Sequence, residues 1–355
     1  MNSDLTVVIP TLNGAAGVDR CLTALAARPP GPTMEIIVVD DGSTDGIAAV
    51  ARTHGVTIIS HPRNLGVGAA RNTGLNAATA DIVAFLDDDC EPEPGWAASH
   101  VAAYADEDVA GVGGPIIPRT PPGYLSGFLT RNNPLVPLEL ELSESGSIAH
   151  RFYLYLRRQW AGQVRTERRD VFSFAGANMS FRRKALLDVG QFDERFKFGG
   201  EELDMCMRVA QGIPGARLAY VPEATIVHHF EPQLRDTLRR SRWYGMGSAR
   251  LHCKWRSMPL TLFPWPVLVL LLVAASVWVP ALAVAAVLAP LALYPRGLRC
   301  AVSDRQAAAL LDAYVRLAQE TCENIGIAHG YWRFRRLIPQ HPADAGNRHG
   351  QERFP

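Results

Sequence analysis

The sequence predicts an α/β domain on an open, mainly parallel sheet, followed by C-terminal helices that associate with a membrane. Three observations carry this. Short, continuous apolar runs alternate with helical stretches from Leu5 to Leu86, the pattern of a parallel sheet with crossover helices. Each of three runs stops at polar residues, and in such sheets ligands bind beyond the carboxyl ends of the strands. A long uncharged stretch lies near the C-terminus.

The first run, Leu5-Thr6-Val7-Val8-Ile9-Pro10, reads as a buried strand and leads into the turn-like Thr11-Leu12-Asn13-Gly14. The second, Glu35 to Val39, stops at Asp40-Asp41-Gly42-Ser43-Thr44-Asp45, where Ser43, Thr44 and Asp45 are good N-cap types for a helix over Ile47 to Arg52. Val56 to Ile59 is a third strand, and Asn64 to Gly68 leads into a helix from Ala69 to Ala78. The fourth strand, Ile82 to Leu86, ends in Asp87-Asp88-Asp89. Adjacent carboxylates repel one another unless they share a cation or a proton. Mg²⁺ or Mn²⁺ takes oxygen ligands, usually one or two carboxylates plus the phosphates of a nucleotide. A solvated acidic turn would explain Asp87 to Asp89 alone; three polar strand ends in one unit are hard to explain as packing.

Val8-Ile9-Pro10-Thr11-Leu12-Asn13, Val38 to Asp45, Asn64-Leu65-Gly66 with Ala70-Arg71-Asn72 and Gly74, and Phe85 to Asp89 occur in an order and approximate spacing that resembles a family-2 glycosyltransferase of the GT-A fold, a Rossmann-like nucleotide-diphospho-sugar transferase. The similarity covers residues 4–230. It implies inverting transfer of a sugar from a nucleotide-sugar donor with a divalent cation, Mg²⁺ or Mn²⁺. Carried over by position, Pro10, Thr11, Asn13, Asp40 and Asp41 would line the nucleotide pocket, and Arg71 would face the nucleotide or pyrophosphate, where a guanidinium suits phosphate geometry. Asp87 and Asp89 would form the metal and donor motif, with Asp89 favoured as the direct ligand and Asp88 between them in the same donor segment. Gly66, Gly68 and Gly74 fit turns and close packing; no Gly-x-x-x-x-Gly-Lys-Ser/Thr loop is present.

A second constellation, Gly176 to Arg183, Gly190 to Asp193 and Gly199-Gly200-Glu201-Glu202-Leu203-Asp204, resembles the acceptor-side segment of that family. There the second residue of a Glu-Asp pair is the base; here that position holds Glu202, one methylene longer, so Glu201 and Asp204 stay in contention, with Gly200 on the acceptor side. Acidic residues in a first helical turn also suit the helix dipole, and Asp204 could simply pair with Arg208 four residues on. Tyr220 to His229 reads as a strand ending in two histidines, and by resemblance His228 is a metal or phosphate contact, with a hydrogen-bonded strand-end histidine as the alternative. Arg239-Arg240-Ser241-Arg242-Trp243 resembles the Gln-x-x-Arg-Trp signature of processive relatives, with Arg for Gln, which would place Arg242 and Trp243 at the acceptor and diphosphate; a basic juxtamembrane helix is the other reading.

The chain has 355 residues and a net charge of +1, so no broad basic surface argues for nucleic acid. Six cysteines lack Cys-x-x-Cys spacing, which fits reduced thiols in a cytosolic compartment and argues against zinc. A strand beginning at Leu5 leaves no room before it for a cleavable signal peptide. The expected organisation is a catalytic domain over residues 1–230, divided at 115/116 into a nucleotide-sugar half and an acceptor half. The acceptor half carries an insertion at 118–170, irregular over Pro118 to Pro137, helical over His150 to Trp160, and flanking the acceptor cleft. A basic juxtamembrane helix at 231–262, a transmembrane or re-entrant hairpin at 263–294, an amphipathic helix at 295–338 and a disordered tail at 339–355 follow. Phe263 to Tyr294 carries no charge, enough for one crossing of about 20 residues but short of the about 40 needed for two. Lys254 and Arg256 on one side, Arg296 and Arg299 on the other, favour both ends cytoplasmic and hence a hairpin kinked at Pro280. Ser303 to Gln306 reads as a capping box, and Leu311, Tyr314, Ala318, Cys322 and Ile325 as an apolar stripe lying against the membrane or the catalytic domain. Arg333, Arg335 and Arg336 among Trp332 and Phe334 suit an anionic lipid surface.

Together these features predict a single-sugar, membrane-anchored transferase on the cytoplasmic face of the inner membrane, taking a nucleotide-sugar donor and a lipid-linked or glycan acceptor. A nucleotidyltransferase or a non-catalytic nucleotide-sugar-binding scaffold would share the carboxylates. The Gly-rich, Arg-containing N-terminal loop of sugar nucleotidyltransferases is replaced here by Pro10 to Gly14, and turnover would exclude a scaffold.

Overall fold

The computed structural model describes residues 3–141, 147–161, 166–255, 260 and 262–336. The expected tail at 339–355, the middle of the insertion at 142–146 and Arg256 lie outside the described residues.

Strands β1 (Leu5–Thr11), β2 (Met34–Asp40), β3 (Thr57–Ser60) and β4 (Ile82–Leu86) pair in parallel in the order β3-β2-β1-β4, as the alternating pattern predicts. Helices α1 (Ala15–Ala26), α2 (Ile47–Thr53) and α3 (Val67–Ala77) make the crossovers. Two further strands reached through later connections complete the parallel part: β6 (Val109–Gly113) pairs in parallel with β10 (Arg217–Tyr220). Between β4 and β6 runs the antiparallel β9 (Asn178–Arg182), and β8 (Arg169–Asp170) edges the sheet beside β10. Every residue of β1 is buried, and its pleat sends Leu5, Val7 and Ile9 to one core and Val8 to the other. The first core is closed by α1, α2 and α4 (Trp96–Ala103), the second by α3, α7 (Arg183–Asp188) and α8 (Glu201–Gly212).

A second, small sheet was not anticipated. The expected strand from Tyr220 to His229 breaks at Val221–Thr225, where Pro222 removes a donor, and its two pieces serve different sheets. The latter piece, β11 (Ile226–His229), pairs antiparallel with β5 (Cys90–Pro92) and parallel with β7 (Ile116–Arg119). Its register sets His228 opposite Cys90, directly after the acidic turn.

The insertion is less irregular than its prolines suggest. It contains α5 (Tyr124–Arg131) as well as α6 (Ile148–Ala161). Arg131 donates from Nε and Nη2 to both oxygens of buried Asp312 at 2.6 and 2.8 Å, and Tyr124 adds a third bond at 3.1 Å. A long-range ion pair therefore fixes α5, a constraint invisible to local periodicity.

C-terminal to the sheet, α9 (Leu234–Lys254) packs along α13 (Asp312–Phe334). A β-carbon on Gly245 would lie 2.1 Å from the Glu323 carbonyl, and one on Gly326 2.1 Å from that of Arg242, so glycines let the two backbones touch. This corrects the C-terminal reading twice. The face of α13 that packs is Ala313, Gly326, Ile327 and Gly330, while Leu311 and Ile325 of the expected stripe are exposed. Ser303 ends α12 (Pro295–Ser303) instead of capping the next helix, and a 3₁₀ turn, Ala307–Leu311, precedes α13. The uncharged stretch folds into α10 (Pro264–Ala275) and α11 (Ala281–Leu293), with the bend ending at Pro280. Among the described residues no single helix is long and apolar enough to cross a membrane; α11 and α12 together would be, but they meet at 68°.

Candidate active site

The parallel register places Thr11 opposite Asp40, so both polar strand ends share one edge with the turn after β4. Asn13, held at φ 56°, accepts from the Thr44 amide at 2.8 Å, while its own amide donates to Ser43 Oγ at 2.8 Å. Asp45 accepts from the Ala15 amide at 2.8 Å. Ser43, Thr44 and Asp45 thus stitch two edge loops together, and the N-cap of α2 is Gly46 without a side-chain cap, contrary to expectation. The paired aspartates of β2 diverge. Asp40 accepts from the Ser43 amide at 2.7 Å; burial pushes its carboxyl up, but hydrogen bonds from Ser43, Ser60 and Gly42 hold it below the ordinary value. Asp41 has both oxygens engaged, by His61 Nδ1 at 2.7 Å and the amides of Leu65 and Gly66 at 2.8 and 2.7 Å, and so fixes the loop entering α3.

The acidic turn divides likewise. Asp88 accepts from Thr11 Oγ1 at 2.5 Å and fills the space beside Gly14, turned back towards the junction of β1 and α1. Burial, with the charge of Asp87, pushes it up to about 6. Asp89 is aimed at β11, with Oδ1 3.3 Å from His228 Nε2. Its carboxyl is pushed up to about 8 by burial and by the charges of Asp87 and Asp88. His228 is driven down to about 4 by burial, so the imidazole is neutral, and its buried Nδ1 has no partner among the described residues. His229 turns instead to Glu91 at 2.6 Å. Crowded carboxylates facing a neutral imidazole form a donor set that fits a divalent cation, Mn²⁺ better than Mg²⁺. Cys90 Sγ lies near the same atoms, but burial raises its thiol well above the ordinary value and keeps it protonated.

Arg71 departs from its expected place facing the nucleotide. Its buried guanidinium donates to Glu201 at 2.7 Å, Asp87 at 3.1 Å and the Gly176 carbonyl at 3.2 Å, and lies 5.7 Å over the ring of Phe192. One arginine therefore ties the acidic turn to the first residue of α8. Neighbouring Asn72 continues the tie, exchanging hydrogen bonds with Phe192 at 2.9 Å in both directions.

The three acidic residues of α8 separate cleanly. Gly200, at φ 97°, caps the helix in a conformation costly for other residues, and its amide donates to Glu202 Oε2 at 3.1 Å. Burial and the Glu201 charge push Glu202 up to about 8, against the opposing pull of Arg71. Glu201 is committed to Arg71 through Oε1, and its buried Oε2 has no partner among the described residues. Asp204 is corrected as a base candidate: it is fully buried and satisfied by Arg208 at 2.9 Å, Lys254 at 2.7 Å and Trp255 Nε1 at 2.8 Å. The plain pairing of Asp204 with Arg208 is the observed one.

Helix α9 offers the site different residues from those its motif suggested. Arg242 and Trp243 are exposed, Arg242 beside His329 of α13 at 3.5 Å and Trp243 under Arg239 at 5.3 Å. Arg240 and Tyr244, one turn apart, face inward. Arg240 pairs with Glu231 and stacks 4.8 Å over Phe230, whose ring lies 4.4 Å from that of His228. Its charge opposes the upward push on Asp89. Burial raises the Tyr244 hydroxyl far above its ordinary value, with Glu202 and Asp87 adding to the rise. Gly247, on the same face, backs onto the Gly199 carbonyl, where a β-carbon would come within 2.4 Å. The spacing 240, 244, 247 was a legible signal of this face.

A family model described as Glycosyl transferase family 2 matches residues 6–190, and one described as Glycosyl transferase family group 2 matches residues 141–296. The chain is 35% identical over 251 residues to the pre-mycofactocin glycosyltransferase of Mycobacterium tuberculosis, covering 70% of this chain and 47% of that one, about half of the relative's length. It is 30% identical over 247 residues to the N-acetylglucosaminyl-diphospho-decaprenol L-rhamnosyltransferase of the same organism, covering 64% and 77%. Among solved structures, a mannosyltransferase from Pyrobaculum calidifontis in complex with GDP-Man and Mn²⁺ aligns with a TM-score of 0.57 at 20% identity, over 94% of this chain and 88% of that one. That likeness shows the fold, the expected GT-A architecture.

Proposed function

Because the chain belongs to glycosyl transferase family 2, we propose that it transfers one sugar, with inversion, from a nucleoside diphosphate donor to a hydroxyl of a lipid-linked or membrane-proximal glycan. The observation that carries this reading is the buried Arg71 bridge, which brings the acidic turn of the donor edge and the carboxylates of α8 into one site. Glu202 takes the proton of the acceptor hydroxyl, a general-base contribution of about 10²–10⁴-fold. The acceptor oxygen then attacks the anomeric carbon from the face opposite the diphosphate. The carbon–oxygen bond to the diphosphate breaks with its electron pair leaving on oxygen, as in carboxylate-assisted inversion at glycosidases.

Asp89 and His228, with Asp87 in electrostatic reach, would hold a divalent cation that neutralises charge on the departing diphosphate. Arg240 adds a fixed positive charge from the protein itself. Asp40, Thr11 and Asn13 shape the nucleoside side of the edge. The donor reading is supported by the Pyrobaculum neighbour with GDP-Man and Mn²⁺, and the lipid-linked acceptor by the rhamnosyltransferase relative.

The test is release of free nucleoside diphosphate from UDP-, GDP- and dTDP-sugars by purified full-length protein with Mn²⁺ or Mg²⁺. Release from one donor, lost on chelation and in Asp89→Ala, is expected. Release that persists in both would remove the cation from the proposed chemistry; diphosphate release from a nucleoside triphosphate instead would point to a nucleotidyltransferase.

A further inference from the structure

Helices α10 and α11 fold back on each other without burying their outer faces. No residue of α10 is buried, and in α11 only Ala286 and Pro290 are. Leu270 is 67% exposed, and at the bend Val277 and Trp278 are 79% and 80% exposed. No charged side chain occurs between Phe263 and Tyr294. Each large apolar side chain is stabilised by leaving water, so this many left exposed calls for something that covers them. A protein partner covers one face of a helix, whereas these helices are apolar all round, the signature of a surrounding hydrocarbon.

Length decides how far they enter. The helices have 12 and 13 residues, about 18–20 Å at 1.5 Å per residue, against a hydrocarbon core of about 30 Å. That reaches past the middle of a bilayer but does not cross it. The base of the hairpin carries the features of a membrane boundary. Phe152, Tyr155, Phe263 and Trp265 cluster there with ring centroids 6.0–6.2 Å apart. At the other leg α12 turns 68° away and exposes Leu298 and Val302 together with Arg299, an amphipathic pattern suited to anionic headgroups. The base is also rigidly fixed: Phe263 and Asn324 exchange hydrogen bonds at 2.9 Å in both directions, and Tyr294 donates to buried Glu320 at 2.7 Å.

We infer that α10 and α11 form a re-entrant hairpin that enters the bilayer from one face, ends just beyond its middle without crossing, and returns to the side it entered, with α12 lying along the surface. The inference is independent of the proposed chemistry. Through α13 and α9, which closely approaches Gly199, the hairpin holds the acceptor side of the site at a fixed height above the membrane.

The test places a thiol at the bend, Val277→Cys, in full-length protein carrying Cys300→Ser and Cys322→Ser, reconstituted in phosphatidylethanolamine–phosphatidylglycerol vesicles. A membrane-impermeant maleimide is applied outside, or trapped inside. Ser303→Cys serves as a surface control. The expected result is co-flotation with vesicles, loss of labelling at 277 from either side, full labelling there after detergent, and labelling at 303 from the outside alone. Labelling at 277 from the inside would show a full crossing and overturn the inference. Labelling from the outside would show an uninserted hairpin. Protein that stays out of the vesicle fraction as a protected dimer would show that a second copy covers the hairpin instead.

Discussion

The edge of the site proposed to take the donor and the edge proposed to take the acceptor are built by different means. On the donor edge, residues stand at the ends of parallel strands, and neighbours take different roles: Asp41 and Asp88 are turned into the protein, Asp87 pairs with Arg71, and Asp89 borders the candidate cation site. On the acceptor edge, the groups stand on helices α8 and α9, and the rotation of each helix decides which are offered. Asp204 is consumed by Lys254 and Trp255, whereas Glu202 keeps a raised affinity for a proton. Adjacent identical carboxylates are therefore poor guides to function until their hydrogen-bond partners are known.

The sharpest way to break this comparison is to treat α8 residues alike. Glu202→Gln should lower transfer by about 10²–10⁴-fold with donor binding nearly unchanged, measured by steady-state kinetics and donor titration. Equal loss of donor affinity would make Glu202 a donor residue. Asp204→Ala should instead act on the fold. Removing one partner of a buried ion pair costs about 3–5 kcal/mol, read as a lowered denaturant midpoint. A stable but inactive Asp204→Ala would return that residue to the site.

On α9, Arg240→Ala should cost about 1.5–3 kcal/mol of transition-state stabilisation, the scale of a hydrogen bond to a charged group. Arg242→Ala and Trp243→Ala should leave kcat/KM close to wild type. The reverse pattern would restore the motif reading of this helix. The smallest effect is on pH. Because the base must be ionised and its pKa is raised to about 8, kcat/KM should climb as pH rises through about 8 and then level. Folding stability should change in the opposite sense, falling as pH rises from the ordinary 4.5 through 8, because the folded state must surrender a proton the unfolded chain has already lost. Glu201→Gln removes the neighbouring charge and should move the rate limb to lower pH; an unmoved limb would mean another group sets it.

The parallel strands and the polar edge were legible because a strand's end is a one-dimensional property of sequence: Leu86 is followed by Asp87 whatever the rest of the chain does. The histidine beside Asp89 was legible only as one of a pair. The register of a small sheet built from three distant segments turns His228 towards Asp89 and sends His229 to Glu91. Arg71 is expected from the sequence to face the nucleotide or pyrophosphate, since nothing local reveals that Glu201, 130 residues away, will pair with it in the interior. Arg240 and Tyr244 were missed because a motif resemblance was followed over helical phase. The hairpin's existence was readable from uncharged length, while its exposed flanks required the packing of α13.

Inversion is the stereochemical consequence of a carboxylate base opposite the leaving group, so the anomeric configuration of the product tests the central claim most directly. With the cognate donor and a simple hydroxyl acceptor, the coupling constant of the anomeric proton by NMR should report the configuration opposite to that of the donor. A product that retains the donor's configuration would contradict Glu202 as the base of a single displacement.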